Sequence, residues 1–215
     1  MKLNLREYIQ ADDDISVEEA AQIINERAGK WRNFIGGFST NNLNWLIYRG
    51  MRIIYSPEIA IKYPRSNRRP LTTKNEDHVM ADEYFKEKFG IKFRSQSIFT
   101  VRDPGIAKFY GDVYSIFPLD DVHFCWSEKV EDFTNELGDF RRKIFPKNSL
   151  ALVNEISKEQ ITEFMDSCEY HCDDDSLATT FTKYRDYKKH ELMISCDEYL
   201  AVRESSLQKV INLLD

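Results

Sequence analysis

Apolar positions recur along this chain with two different spacings, and the change from one to the other outlines its elements. Ala20, Ile23 and Ile24 follow Ser16 at helical spacing. Ser16 with Glu19 three residues on forms a capping box, so a helix is predicted there, with Gly29 as its stop. KWRNFIGGFSTNN is looser, with a turn at Gly36-Gly37. The apolar run at 44–48 (NWLIY) reads as a strand that ends at once in Arg49-Gly50. Beyond it Pro57, Pro64 and Pro70 cut the chain into short extended pieces, because proline fixes φ and donates no N–H. Thr73, with Glu76 in the box position, predicts the cap of a second helix. Val79, Met80, Tyr84 and Phe85 form its apolar stripe, and Gly90 ends it.

In the second half, strands are predicted at 96–101 (QSIFTV) and from Asp112 to Pro118. Between them a short helix opens at Asp103-Pro104-Gly105 and closes at Gly111. HFCW at 123–126 reads as extended, 130–143 as helical and 150–153 as a short strand. Ser157 with Gln160 caps a helix that runs to about Cys168. The stretch EYHCDDDSLATTFTKYRDYKKH follows neither period. ELMIS (191–195) and YLAV (199–202) are two strand-like runs joined by Cys196-Asp197-Glu198, and SSLQKVINLLD is an amphipathic helix. There is no internal repeat. Segregated helices with hairpin-like strands predict an α+β fold rather than a doubly wound sheet. The 215 residues suit one domain, 1–215, with 1–40 as an N-terminal helical extension.

Composition narrows the function. Aromatics are plentiful, with 14 Phe, 11 Tyr and 3 Trp, enough to fill a sizeable core. A net charge of -6 argues against sequence-independent binding to duplex DNA over a broad face, while leaving room for a local basic site. No apolar stretch approaches the roughly 20 residues of a membrane helix, and MKLNLREYIQADDD lacks the apolar core of a secretory signal. The spacing of Cys125, Cys168, Cys172 and Cys196 suggests no disulfide scaffold. The expected location is therefore the cytoplasm, the protein's own or that of a host into which it is delivered. Cys168, His171 and Cys172 place three soft ligands within five residues, but no fourth is evident, and the frayed end of a helix accounts for them better than zinc. Neither a G-x-x-x-x-G-K-[ST] loop nor a G-x-G-x-x-G fingerprint is present.

Three islands carry the remaining chemistry. The first is Tyr48-Arg49-Gly50. The second is SIFTVRDPGIAKFYGDVYSIFP (97–118), a strand with hydroxyls, a turn, and a short helix bearing Ala107 and Tyr110. The third is HELMISCDEYLAV (190–202), a glutamate leading a strand, with a tight connection to another. In this order they resemble the ADP-ribosyltransferase superfamily, in its arginine–serine–glutamate branch. The resemblance implies a split antiparallel sheet core with peripheral helices, and cleavage of the bond between nicotinamide and ribose in NAD. Arg49 would hold the NAD phosphates through paired hydrogen bonds. Glu191 would orient the ribose and stabilise an oxocarbenium-like transition state. Ser97 or Thr100 would steady the ribose, and Phe99 and Tyr110 would pack beside the nicotinamide or fill the core.

Two departures limit what the resemblance implies. The family's middle motif is often Ser-Thr-Ser, where this chain has Ser97-Ile98-Phe99-Thr100-Val101. Members that modify arginine usually carry Glu or Gln two residues before the catalytic glutamate, where this chain has Lys189. The expected acceptor is macromolecular, a protein before a nucleic acid, with a small molecule or plain water also open. Glu198 rivals Glu191 for the acid's role. Three competing readings stand beside this one. Arg49 can be an ordinary strand-end arginine paired with a surface carboxylate. The chain can be a non-catalytic binding or inhibitor protein with a degenerate version of the fold. Lys62, Arg65, Arg68 and Arg69 can form a nucleic-acid contact, or simply an exposed loop.

Overall fold

The computed structural model describes residues 14–39, 43–52, 57–66, 68, 73–145, 155–174, 177, 179 and 185–214. In chain order its elements are α1 (Val17–Arg27), α2 (Gly29–Phe34), β1 (Tyr48–Met51), β2 (Ile59–Lys62), α3 (Asn75–Phe89), α4 (Phe93–Gln96), β3 (Ile98–Thr100), α5 (Pro104–Lys108), β4 (Asp112–Pro118), β5 (His123–Trp126), α6 (Phe133–Ile144), α7 (Lys158–Ser167), β6 (His171–Cys172), β7 (Leu192–Ser195), β8 (Tyr199–Arg203) and α8 (Glu204–Ile211). The fold is α+β, with two antiparallel four-stranded sheets ordered β1-β4-β8-β2 and β3-β7-β5-β6. A bridge joins them edge to edge. The Tyr48 N–H donates to the Val101 carbonyl at 2.7 Å, and the Val101 N–H returns the bond at 2.9 Å.

The second sheet is buried on both faces, as its alternation requires. Ile98, Leu192, Ile194 and Phe124 face the larger core, which also takes in α1, α2, α8 and the first sheet. Phe99, Met193 and Cys125 face a second core built with α3, α4, α6 and α7. Between α3 and α6, Arg141 Nη2 binds both oxygens of Asp77, at 2.7 and 2.8 Å, and both side chains are almost fully buried.

Several elements differ from the sequence expectations. Gly29 does not stop the chain's helices. Ala28 ends α1, and Gly29 opens α2, whose Trp31 is fully buried. The N-terminal helices are thus part of the main core rather than an extension beside it. The strand expected at 44–48 begins at Tyr48, after a 3-10 turn at Leu43–Trp45, so Arg49 lies inside β1. Thr73 caps nothing; its hydroxyl pairs with that of Thr134 at 2.7 Å, and α3 starts after Lys74 without a side-chain cap. β7 and β8 do not form a hairpin. Each pairs with strands of a different sheet, so the connection at 196–198 crosses between sheets. Cys125 and Cys172, expected to be unpaired, are disulfide-bonded, because the β5–β6 register sets them directly opposite each other. The strand expected at 150–153 lies outside the described residues. Among the described residues no helix is long and apolar enough to cross a membrane.

Candidate functional site

Gly50 explains why an apolar run is cut short by Arg-Gly. A Cβ at this position would lie 2.0 Å from the Ala107 carbonyl oxygen and 2.8 Å from Tyr110 Cβ, so only glycine lets α5 rest directly on β1. The Asp103 side chain starts that helix by accepting the Gly105 N–H at 2.7 Å, with Pro104 in the first turn. Gly111, at φ 140°, closes it against the Met51 backbone. Tyr110 is thereby held over β1 with 56% of its surface exposed. Arg49, beside Gly50, has a buried Nη1 without a hydrogen-bond partner among the described residues.

Glu191 immediately precedes β7, and its N–H donates to the Glu131 carbonyl at 3.3 Å. Its Oε2 accepts from Arg94 Nη1 at 3.0 Å; the arginine side chain is 5% exposed and the glutamate 24%. Arg94 is set in place by its own N–H on Asp82 Oδ1 at 2.8 Å. Its guanidinium lies 4.7 Å from the Phe99 ring centre and 4.2 Å from that of Phe133. Burial pushes the Glu191 carboxyl above the usual carboxylate range. Arg94 opposes the shift and Asp132 adds to it.

Arg68 approaches the same ring from the segment after β2. Its N–H is fixed on the Ser95 carbonyl at 3.1 Å, and its guanidinium carbon lies 3.8 Å from the Phe99 ring centre. Its Nη1 is buried without a hydrogen-bond partner among the described residues. Burial, then Arg94 and Arg49, bring its pKa down to about 10, against the pull of Glu191. The Tyr110 phenol is raised by burial, by Asp132 and by Glu191, with Arg68 opposing. Arg68, Arg94, Tyr110 and Glu191 therefore share one electrostatic neighbourhood where the two sheets meet, and Arg49 is close enough to act on Arg68.

The remaining expected residues divide. Thr100 is buried, and its hydroxyl donates to the Leu192 carbonyl at 3.0 Å. Strand alternation turns it toward the main core with Ile98, away from Phe99. Ser97 lies two residues before Phe99 in extended backbone, hence on its side, and its buried hydroxyl has no partner among the described residues. Glu198 is paired with Arg27 at 2.6 Å, whereas Glu191 is paired with Arg94 beside Phe99. Lys62 belongs to β2, Arg65 is exposed, and Arg69 lies outside the described residues. Arg68 turns inward instead of joining a surface patch. Arg94 went unnoticed in the sequence. Nothing in FRSQS marks it, because its partners Phe133 and Glu191 come from distant parts of the chain.

Other features offer less chemistry. A cavity of about 460 Å³ lies between α6 and α7, lined by residues that include Lys129, Glu136, Asp139 and Arg142. Two of its cations are paired, Arg142 with Asp139 and Lys129 with Glu169. Cys168 is buried, and burial pushes its thiol up to about 12; Cys172 is occupied by Cys125, and His171 faces Asp174 at 3.1 Å. No group of three or more His, Cys, Asp or Glu side chains able to hold a metal occurs among the described residues. No family model matches this chain, and no curated protein or solved structure does either.

Proposed function

We propose that this chain is an NAD-dependent ADP-ribosyltransferase, or a close NAD-cleaving relative, built on the split antiparallel sheet of that superfamily. The observation that carries the reading is the lateral order of the three islands. β1 is bridged to the end of β3, and β3 pairs with β7. An arginine, a hydroxyl-bearing strand and a glutamate that are remote in sequence thus come from three neighbouring strands.

In this reading Arg49 binds the NAD phosphates, which satisfy its unpartnered Nη1. Glu191 holds a ribose hydroxyl and stabilises the positive charge that develops as nicotinamide departs. The acceptor, or water, then bonds to the anomeric carbon, and nicotinamide leaves with the electron pair of the broken bond. Arg94 favours the ionised form of Glu191 against its burial. Ser97 is the better candidate than Thr100 for the ribose, since the Thr100 hydroxyl is spent on the ladder. Tyr110 offers an exposed ring for stacking, whereas Phe99 already carries two guanidinium groups. With Lys189 two residues before Glu191, a protein side chain other than arginine is the favoured acceptor.

One observation favours the second reading, a non-catalytic binding protein. Glu191 is already engaged by Arg94, as in a site that has lost its substrate. Incubation with NAD, with chromatographic detection of nicotinamide, separates the two. The transferase reading expects release by the folded protein and a fall of about 10² or more in Glu191→Gln. Absence of release with and without a cell lysate, together with full biological activity of Glu191→Gln, would establish the second reading.

A further inference from the structure

We infer that Arg68 is a second anion-holding residue, which with Arg49 clamps the two phosphates of a diphosphate-bearing ligand. The inference rests on the reading of Arg49 as a phosphate anchor and adds a residue from outside the three islands.

The two guanidiniums reach the junction of the sheets from different elements, β1 and the segment between β2 and α3, and each keeps a buried Nη1 without a hydrogen-bond partner among the described residues. Each nearby carboxylate already has another partner. Glu191 is held by Arg94; Asp82 accepts the N–H groups of Arg94 and Ser95; Asp132 caps α6. Neither Arg49 nor Arg68 has a carboxylate partner among the described residues. Guanidinium nitrogens withdrawn from water are ordinarily paired, so two half-buried guanidiniums that repel each other and have no carboxylate partner among the described residues are a costly arrangement without an anion. Arg68 is also prepared for binding. Its backbone is tied to Ser95, and its guanidinium plane is propped on Phe99, so little freedom remains to be lost when a planar fork meets phosphate oxygens. The ligand can be a nucleoside diphosphate sugar or dinucleotide, or free pyrophosphate; the shared chemistry is a phosphoanhydride with an anionic oxygen on each phosphorus.

The test is calorimetric titration of the full chain with ADP-ribose, inorganic pyrophosphate and adenosine. Arg68→Gln is expected to weaken ADP-ribose by at least about tenfold and to leave adenosine within about twofold. Pyrophosphate that binds and weakens in parallel marks the phosphoanhydride alone as sufficient; ADP-ribose without pyrophosphate marks a nucleotide site. The unliganded variant should melt at or above the wild-type temperature, because a like charge has been removed. The inference is overturned if wild type binds neither diphosphate, or if Arg68→Gln keeps its ADP-ribose affinity. It is also overturned if adenosine affinity and unliganded melting fall together, as a purely structural arginine requires, or if only binding of a single-stranded oligonucleotide is lost. Should the variant fail to fold, phenylglyoxal modification of wild-type Arg68 decides: protection by ADP-ribose supports the clamp, and unchanged modification refutes it. ADP-ribose has no nicotinamide bond. Binding lost in Arg68→Gln without any nicotinamide release from NAD therefore leaves the clamp standing and removes the transferase. Release with an unchanged KM in the variant does the reverse.

Discussion

The pair formed by Arg94 and Glu191 can be measured without any assumption about activity. Arg94→Gln removes a charge-assisted hydrogen bond of 3.0 Å between side chains that are 5% and 24% exposed. Such bonds contribute about 1.5–3 kcal/mol, and the guanidinium's contacts with Phe99 and Phe133 add roughly 0.5–1 kcal/mol each. The single variant should therefore lose about 3 kcal/mol at neutral pH. A double-mutant cycle with Glu191→Gln isolates the pair and should return a coupling of about 2 kcal/mol. The sign of its pH dependence follows from burial. The Glu191 carboxyl already titrates above its ordinary value in the folded protein, so its charged form is a cost that appears as pH rises from the unfolded value through the folded one. Arg94 limits that cost, and its removal moves the folded value further up. Once Glu191 is protonated the coupling should vanish. Urea unfolding followed by circular dichroism, at about pH 7.5 and about pH 4, measures the cycle. Carboxyl NMR of Glu191 measures the titration directly. A coupling below about 0.5 kcal/mol at neutral pH, or one that persists unchanged in acid, would refute the argument.

Asp77→Ala leaves Arg141 as an unpaired charge between α3 and α6 and should cost about 3–5 kcal/mol in denaturant unfolding. Gly50→Ala drives a methyl into the Ala107 carbonyl and must displace α5, at about 1–3 kcal/mol or more. Fluorescence-monitored unfolding reads the loss, and it should carry any Arg49-dependent ligand binding with it. Reducing the Cys125–Cys172 bond, which spans 47 residues, should lower stability by about 2–4 kcal/mol, visible as a drop in melting temperature on adding dithiothreitol.

Local chemistry was legible wherever a side chain acts on its own turn. Ser16 accepts the Glu19 N–H at 3.1 Å, and Ser157 with Gln160 makes both bonds of a capping box, as the spacing predicts. The same pattern at Thr73 misleads because Thr134, on a distant element, competes for the hydroxyl. Gly29 misleads because burial of Trp31 outweighs the cost of a glycine at a helix start. The crossing between β7 and β8 was hidden for a related reason. Two apolar runs with three residues between them look like a hairpin, and only the neighbours each strand finds in space assign them to separate sheets. At the site, the types and order of Arg49 and Glu191 were visible, and so was the basic character of Arg68. The inward turn of Arg68 depends on Phe99, and the placement of Arg94 on Phe99 and Phe133 together, which no spacing encodes.

The engagement of Glu191 by Arg94 bears differently on the two functional readings once its geometry is compared with that of Asp77. Arg141 occupies both oxygens of Asp77 in a buried setting, so that carboxylate has nothing left to offer a ligand. Arg94 takes only Oε2 of Glu191, and Oε1 has no hydrogen-bond partner among the described residues, in a side chain that still meets solvent. A carboxylate fixed by one oxygen and open at the other is oriented without being saturated. A ribose hydroxyl needs such an arrangement from its acceptor, since the ion pair then persists through the reaction and no bond must be broken before substrate enters. The unpartnered nitrogens of Arg49 and Arg68 stand in the same neighbourhood and match the opposite end of such a ligand, its phosphates. The unsatisfied Nη1 donors of Arg49 and Arg68 are each a standing cost to stability that a bound anion would remove.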